Sequence, residues 1–269
     1  MIFIHNFNPI IFQIGSIKLH WYGFMYVLAF LFAYFFLRQK SKATDKQQSK
    51  LTFEQIDILL FSIFLGVILG GRLGYFLFYN PRIFLNDFFE IFRVWHGGMS
   101  FHGGLLGVII VSIWFSKKFK ISLLALGDLI VIPVTVGLFL GRIGNFINGE
   151  LYGRLTDGTW GVIFPLASDN LPRHPSQLYE AGKNLLILGA LWFFSCNKIQ
   201  SQPAGFLGFV FLILYGVGRF LIEQFWRQPV DGYILGLTTG QFWSVPVAVV
   251  GVIGLIALKI GEKNKEKKI

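Results

Sequence analysis

The chain alternates between long apolar stretches and short polar ones along almost its whole length. Seven of the apolar stretches approach the length of about 20 residues that a helix needs to cross a bilayer. We therefore predict an all-α, polytopic membrane protein with seven transmembrane helices. The predicted spans are residues 19–37, 56–78, 98–115, 123–140, 177–194, 204–222 and 241–260.

The polar stretches predict which side of the membrane each loop faces, because Lys and Arg gather in cytoplasmic loops. Residues 38–50 hold five basic side chains and one acid, and residues 116–120 hold three lysines. The segments predicted to lie inside carry fourteen Lys and Arg, against seven in the segments predicted to lie outside. This bias places the N-terminus outside and the C-terminus in the cytoplasm.

Three segments outside the spans have distinct predicted roles. Residues 1–18 are apolar but interrupted by two asparagines, a proline and a glycine, which predicts an arm lying in the membrane interface. Residues 141–176 form the longest non-hydrophobic region and are predicted to be a small head on the outer face. Residues 261–269 form a basic cytoplasmic tail. We predict that residues 1–269 form one integral membrane domain.

Composition supports the membrane assignment and excludes several classes of site. Hydrophobic residues make up 54% of the chain and charged residues 14%, whereas about a quarter of a soluble protein is charged. The net charge of +10 suits loops held against anionic lipid, so no nucleic-acid partner is expected. Cys196 is the only cysteine, and no HExxH or phosphate-loop motif occurs. We predict no metal, no cofactor and no removable signal peptide.

The stretch 141–154, GRIGNFINGELYGR, concentrates polar chemistry directly after an apolar run. It holds Arg142, Asn145, Asn148, Glu150 and Arg154. Charged and amide groups at a membrane boundary are costly unless they bind something. A juxtamembrane anchor, with arginine reaching the headgroups, is the alternative interpretation. Such an anchor needs one or two basic residues, so the added amides and carboxylate favour a binding site.

All five histidines fall on the outer side of the predicted topology or near outer span ends. They are His5, His20, His96, His102 and His174. The same side holds six other charged residues: Arg72, Arg142, Arg154, Arg219, Glu150 and Glu223. This gathering predicts a site in the outer half of the membrane. Glycines surround His102 and leave room beside an imidazole that can take a proton near neutral pH. A histidine hydrogen-bonded between helices is an equally open interpretation.

Arg219, Glu223 and Arg227 recur at a spacing of four, which places them on one face of a continuing helix. An arginine held by a glutamate presents a planar fork that suits a phosphate group. A structural ion pair between helices is the alternative. Tyr22 belongs to an aromatic cluster at the interface, and it can also donate a hydrogen bond into the site.

Two other patterns favour structural roles. Residues 173–180, RHPSQLYE, carry Pro, Ser and Glu in the order of a helix start. Gly66, Gly70 and Gly74 recur at a spacing of four within the second span. This spacing predicts a helix face for tight packing.

Several motifs, in order along most of the chain, resemble those of the bacterial prolipoprotein diacylglyceryl transferase family. They are HWYG at 20–23, GGRLGYFLFYN at 70–80, RVWHGGMSFHGGLLG at 93–107, GRIGNFINGELYG at 141–153, LPRHPSQLYE at 171–180 and GRFLIEQFWRQPVD at 218–231. At His96 the family pattern has an acidic residue, which puts the role of this position in doubt. Residues 154–171 look short for the family, which implies a reduced head.

The resemblance implies an enzyme of the bacterial inner membrane with its active site toward the periplasmic leaflet. The enzyme takes the diacylglyceryl group from phosphatidylglycerol and transfers it to the lipobox cysteine of a preprolipoprotein signal peptide. A thioether forms and glycerol 1-phosphate leaves. The implied partners are phosphatidylglycerol, these signal peptides and membrane lipids, and no cofactor is required.

The family's functional positions map onto eight residues of this chain: Tyr22, His102, Arg142, Asn145, Glu150, Gly153, Arg219 and Glu223. Thiolate is the reactive form of cysteine, so a base is needed, and His102 is the candidate. The leaving phosphate develops charge, and Arg142 and Arg219 are expected to contact it. Glutamates would orient the arginines, while Asn145 and Tyr22 would supply polar contacts. The resemblance leaves open whether His102 is a base or positions lipid.

Two functions from other classes compete with this hypothesis. A transporter or channel with an outer vestibule would have broken helices in two related halves, and no such internal symmetry is visible. A lipid-binding scaffold would bind phosphatidylglycerol but tolerate the loss of His102.

Overall fold

Seven α-helices account for the apolar stretches in the part of the chain that the structure describes. The structure is a computed structural model, and it describes residues 1–15, 17–43, 51–82, 87–93, 97–196, 202–229 and 232–266. The helices are α1 (Trp21–Ala43), α2 (Phe53–Phe78), α3 (Phe101–Phe119), α4 (Leu123–Ile147), α5 (Ser176–Cys196), α6 (Phe206–Phe225) and α7 (Thr239–Glu266). A short 3₁₀ helix covers Phe88–Phe92.

Five of these helices are long and apolar enough to cross a membrane, counting only the described residues. They are α1, α2, α4, α6 and α7. Many of their large apolar side chains are exposed in the isolated chain, as expected for surfaces that face lipid. The chain is therefore a polytopic membrane protein. The shorter α3 and the charge-bearing α5 fall outside this group, and seven spans remain a prediction.

Local sequence explains where several helices begin. Thr52 starts α2 with a capping box: its side chain accepts from the Gln55 amide at 3.2 Å, and the Gln55 side chain accepts from the Thr52 amide at 2.9 Å. Ser100 caps α3 by accepting from the Gly103 amide at 3.2 Å. The helix of the predicted third span therefore begins at Phe101 and not at residue 98.

The fourth helix runs past its predicted end at residue 140 and continues to Ile147. It stops where the Gly149 amide donates to the Phe146 carbonyl at 3.0 Å and Gly149 takes a φ of +69°, a conformation that favours glycine. Residues 141–147 are therefore the last turns of α4, and that residues 141–176 form a head on the outer face stays a prediction.

The prediction of an all-α fold was also incomplete, because seven short strands lie in the described residues. A three-stranded sheet places β1 (Ile2–Ile4) parallel to β4 (Gly161–Ile163), which pairs antiparallel with β5 (Pro172–Arg173). Two hairpins pair β2 (Ile10–Ile14) with β3 (Ile17–His20), and β6 (Tyr233–Ile234) with β7 (Leu237–Thr238). The start of the predicted arm, residues 1–18, is thus a strand of the head.

The head has a small core of its own. Val162, Phe164 and Ala167 are buried, and Phe146 and Tyr152 pack against them. Phe146 belongs to the last turn of α4, so this core fixes the head on the end of that helix. The position of the head relative to the end of α4 is therefore fixed by side-chain packing.

The chain forms two compact units, one of Met1–Ala33 with Gly127–Ile269 and the other of Tyr34–Leu126. In the second unit, glycines bring α2 and α3 into backbone contact. A Cβ added at Gly66 would lie 2.9 Å from the Val111 side chain, and one at Gly74 would lie 2.7 Å from Gly103 Cα. The predicted glycine packing face is confirmed. That residues 1–269 form one domain stays a prediction.

Candidate functional site

The carboxylate of Glu180 lies at the centre of a buried cluster of charges in the first unit. The residue is fully buried on the first turns of α5. Its Oε1 accepts from Arg219 and lies 3.7 Å from Arg227 Nη1. Its Oε2 lies 2.8 Å from Lys183 Nζ and 3.9 Å from Arg142 Nε. Four cationic side chains from three parts of the chain thus converge on one carboxylate.

Glu223 is the second carboxylate of this cluster. Its Oε2 lies 2.9 Å from Arg219 Nη2 and 3.4 Å from Arg227 Nε. The sequence predicted these three residues on one helical face, and their contacts confirm it, although α6 itself ends at Phe225. Gly240 provides room for the carboxylate, because a Cβ there would lie 2.7 Å from Glu223 Cδ.

The cluster has more positive than negative charge. Four cations surround two carboxylates, which leaves a formal excess of two positive charges. In the described residues, the buried Arg227 Nη1 has no hydrogen-bond partner. Unbalanced charge and unmade hydrogen bonds are costly in a low-dielectric site. A bound anion would remove both costs, so the geometry favours an anion site.

Arg142 links this cluster to the end of α4. Its Nη1 donates to Asn145 Oδ1 at 3.3 Å, and Asn145 Nδ2 donates to Glu150 Oε1 at 2.8 Å. Asn148 Nδ2 also donates to Glu150 Oε1, at 3.2 Å. The Gln177 side chain in turn donates to the Glu150 carbonyl at 2.7 Å. Four of the five polar residues in stretch 141–154, all but Arg154, therefore form one hydrogen-bonded chain. Counting Glu150 lowers the formal excess of positive charge to one.

Tyr22 packs on the same end of α4. A Cβ at Gly144 would lie 2.8 Å from Tyr22 Cδ2, so glycine allows the ring to approach the helix. The Tyr22 hydroxyl lies 3.4 Å from the Tyr26 hydroxyl. Both tyrosines are on α1, and a hydrogen bond from Tyr22 to substrate remains a prediction.

Gly153 and Arg154 tie the head to α6. The Gly153 amide donates to the His174 carbonyl at 2.9 Å, and a Cβ at Gly153 would lie 2.6 Å from that same carbonyl oxygen. Arg154 Nε donates to the Arg227 carbonyl at 2.9 Å, and its Nη2 donates to the Glu223 carbonyl at 3.2 Å. Arg154 therefore satisfies one carbonyl in the last turn of α6 and one just beyond its end, where a cation is favourable. Substrate binding at Gly153 stays a prediction.

The segment 173–180 ends at Glu180 of the charge cluster, and its first residues make contacts within the head. Arg173 Nη2 lies 2.5 Å from Asp169 Oδ2, and His174 Nδ1 lies 3.2 Å from the Tyr179 hydroxyl. Partial burial lowers the pKa of His174 below its usual value, against a smaller opposing effect of Asp157. These contacts hold the head together, which agrees with the structural role that the sequence predicted.

His102 belongs to the second unit, whereas the charge cluster belongs to the first. It is exposed at the start of α3, and its ring lies edge-on to Phe101 with centroids 5.6 Å apart. Arg72, in the same unit, is buried and donates to main-chain carbonyls of Glu90, Ile91, Arg93, Gly97 and Gly98. Arg72 thus holds the loop before α3. His96 lies outside the described residues.

Sequence reasoning missed Glu180 and Lys183 as members of the site. Both were placed near the start of the fifth span, with Glu180 interpreted as a helix-start signal. A usable signal was present, because an acid and a base three residues apart inside an apolar helix need partners. The absence of a metal or cofactor stays a prediction.

A sequence model of the family described as prolipoprotein diacylglyceryl transferase matches residues 9–257. The chain belongs to the prolipoprotein diacylglyceryl transferase family. The family that the sequence motifs predicted is thereby confirmed. The matched region contains the whole charge cluster of the first unit and also His102.

Several members of the prolipoprotein diacylglyceryl transferase family are similar over nearly the full length. A phosphatidylglycerol–prolipoprotein diacylglyceryl transferase of Pseudoalteromonas atlantica is 46% identical over 97% of this chain and 91% of its own. Enzymes of the same name from Bordetella avium and Geobacter sulfurreducens are each 44% identical over 92% of this chain, and over 93% and 94% of their own. These matches confirm the predicted reaction class, a transferase.

Proposed function

We propose that the chain transfers the diacylglyceryl group from phosphatidylglycerol to the lipobox cysteine of preprolipoprotein signal peptides, the first step of lipoprotein maturation. The names of the relatives describe, for those proteins, a diacylglyceryl transferase acting between phosphatidylglycerol and prolipoprotein. The observation in this chain that carries the proposal is the excess of buried cations around Glu180 and Glu223. A lipid phosphate is the anion that a membrane supplies to such a site.

The reaction requires one substitution at a glyceryl carbon. The cysteine sulfur attacks the carbon that bears the phosphate ester, a C–S bond forms, and the C–O bond to phosphate breaks. The electron pair leaves with glycerol 1-phosphate, which gains a negative charge. Fixed cations stabilise that developing charge, and in a dry site they need no reorganisation as the bond breaks.

Arg142 is best placed to bind the phosphate. Its guanidinium is held at one nitrogen by Asn145 and lies 3.9 Å from Glu180, so other N–H groups face no protein acceptor among the described residues. Arg219 is bound by both Glu180 and Glu223, and its role combines phosphate contact with fixing of the two carboxylates. Glu150 orients Arg142 through Asn145.

The remaining predicted residues have proposed roles that follow from their chemistry. Tyr22 supplies a hydroxyl donor at the end of α4, and Gly153 lets the head backbone approach α6. His102 is the candidate acceptor of the thiol proton, because a ring nitrogen of imidazole can accept one. In this proposal the thiol proton passes to His102. The phosphate ester leaves without it, so protons and charges balance.

We also propose a bacterial inner-membrane location with seven spans. The bias of basic residues toward the segments predicted inside supports a periplasmic N-terminus and a cytoplasmic C-terminus. In this orientation the end of α4 that carries Arg142 and the end of α6 that carries Glu223 lie toward the periplasmic leaflet, as does Arg227 just beyond α6. The lipobox cysteine arrives on that side within its signal peptide.

The test is transfer of radiolabelled diacylglyceryl from phosphatidylglycerol to a lipobox peptide by purified protein. Wild type should transfer the label, and Arg142→Ala should lose at least about 100-fold in rate. Arg82→Ala, which changes an exposed arginine, is the matched control and should retain the wild-type rate. His102→Gln tests the base: a retained rate would overturn that role and leave the enzyme assignment intact.

Two results would contradict the proposal. Well-folded wild type that binds phosphatidylglycerol without transferring the label would be a lipid-binding scaffold. Movement of solute or lipid across proteoliposomes, again without transfer, would favour a transporter.

A further inference from the structure

Lys183 is a buried cation one turn after Glu180. Its Nζ lies 2.8 Å from Glu180 Oε2 and 4.1 Å from the centre of the Tyr215 ring. Its aliphatic part crosses α6 at Gly218, where an added Cβ would lie 2.8 Å from Lys183 Cδ. A lysine inside an apolar helix is costly to desolvate, so its presence needs an explanation.

The two oxygens of Glu180 are divided between different cations. Oε1 accepts from Arg219, and Oε2 is occupied by Lys183 at 2.8 Å. Arg142 Nε is 3.9 Å from the same Oε2, which is beyond hydrogen-bond distance. Arg142 is therefore attracted to Glu180 but does not donate to it.

This division matters because an arginine beside a carboxylate readily donates a charge-assisted hydrogen bond to it. With Oε2 open, Arg142 could close the gap to Glu180 and turn its donors toward the protein. The hydrogen bond that Arg142 makes to Asn145, at 3.3 Å, is long and would resist this only weakly.

We propose that Lys183 is a positioning residue: by occupying Glu180 Oε2, it keeps the Arg142 guanidinium available for the phosphate of the substrate. The proposal rests on the function proposed above, because it assumes a phosphate ligand at Arg142. Lys183 itself need not touch the lipid. Its effect on phosphate binding passes through Arg142.

A simpler role for Lys183 is to add positive charge to the cluster. In that case its removal weakens phosphate binding whether or not Arg142 is present. The two roles therefore differ in how the effects of two substitutions combine, which a double-mutant cycle measures.

The experiment measures phosphatidylglycerol binding to the full-length protein in lipid nanodiscs, for wild type, Lys183→Met, Arg142→Ala and the double variant. Lys183→Met alone should weaken binding by about tenfold, the value of one charge-assisted hydrogen bond. In the Arg142→Ala background the same change should have an effect of less than about twofold. Lys183→Arg, which retains a donor for Glu180, should restore binding.

Independent effects of the two substitutions would overturn the positioning role and leave the proposed function standing. Failure of wild type both to bind phosphatidylglycerol and to transfer label would overturn the proposed function and this inference together. Should Lys183→Met not fold, Lys183→Leu, which likewise lacks a donor for Glu180, replaces it in the same cycle, with the same coupling expected. Free inorganic phosphate serves as a competitor and separates recognition of the phosphate from recognition of the acyl chains.

Discussion

His5 Nε2 lies 2.6 Å from the main-chain oxygen of Phe146, in the last turn of α4. Because a carbonyl can only accept, the histidine donates from Nε2. The same carbonyl accepts from the Gly149 amide at 3.0 Å. His5, which follows β1, thus stabilises the turn that leads from Asn145 to Glu150. The N-terminal arm therefore contacts the backbone of the candidate site directly.

We predict that His5→Ala destabilises the head. His5 is buried and its ring packs against Phe7, Phe146 and Phe164, so both a hydrogen bond and apolar contacts are lost. The free energy of unfolding should fall by about 2 kcal/mol, measured by chemical denaturation in detergent micelles. The exposed His20 provides the control, and His20→Ala should change it by less than about 0.5 kcal/mol. Equal effects of the two changes would refute the prediction.

Glu180→Gln should cause the largest loss of any single change in the cluster. It leaves four cations with one carboxylate in a buried site. Removing one partner of a buried ion pair costs about 3–5 kcal/mol, and transfer activity should fall at least about 100-fold. Both are measured on purified protein beside Glu54→Gln, which changes an exposed glutamate of α2. Wild-type activity in Glu180→Gln would show that the cluster does not serve the reaction.

Gly153→Ala should separate the head from α6. The added methyl would overlap the carbonyl oxygens of Trp226, at the end of α6, and of His174 in the head, and backbone cannot move aside as a flexible side chain can. We expect a loss of about 1–3 kcal/mol in the free energy of unfolding, with reduced transfer activity. Gly182→Ala is the matched control, because a Cβ there meets nothing within 4 Å. A Gly153→Ala variant as stable as Gly182→Ala would contradict the packing argument.

The head should become less stable as the pH falls through the usual range of histidine. Partial burial lowers the pKa of His174 in the folded chain, so the unfolded chain binds a proton at higher pH than the folded chain. This contribution to stability is present above the unfolded pKa of about 6.5 and declines below it. Histidine NMR titration should give His174 a pKa below the ordinary histidine value of about 6.5. A His174 pKa at or above it would refute the prediction.

The amino-acid sequence alone determined the membrane class and the family. Lipid cannot satisfy backbone hydrogen bonds, so long apolar stretches must become helices, and all seven predicted stretches are helical in the described residues. The glycine spacing in α2 also predicted its contact with α3, because residues four apart share a helix face. Motif order identified the family without any structure.

Only the tertiary structure decided which charges meet. Glu180, Arg142 and Arg219 come from three different helices, and their convergence depends on how those helices are rotated and packed. Sequence spacing reports neighbours on one helix but not across helices. For the same reason, helix periodicity could not show that α4 continues to Ile147 or that β1 pairs with β4. The proposed role of Lys183 depends on which cation binds which oxygen of Glu180, and no pattern in the sequence specifies that.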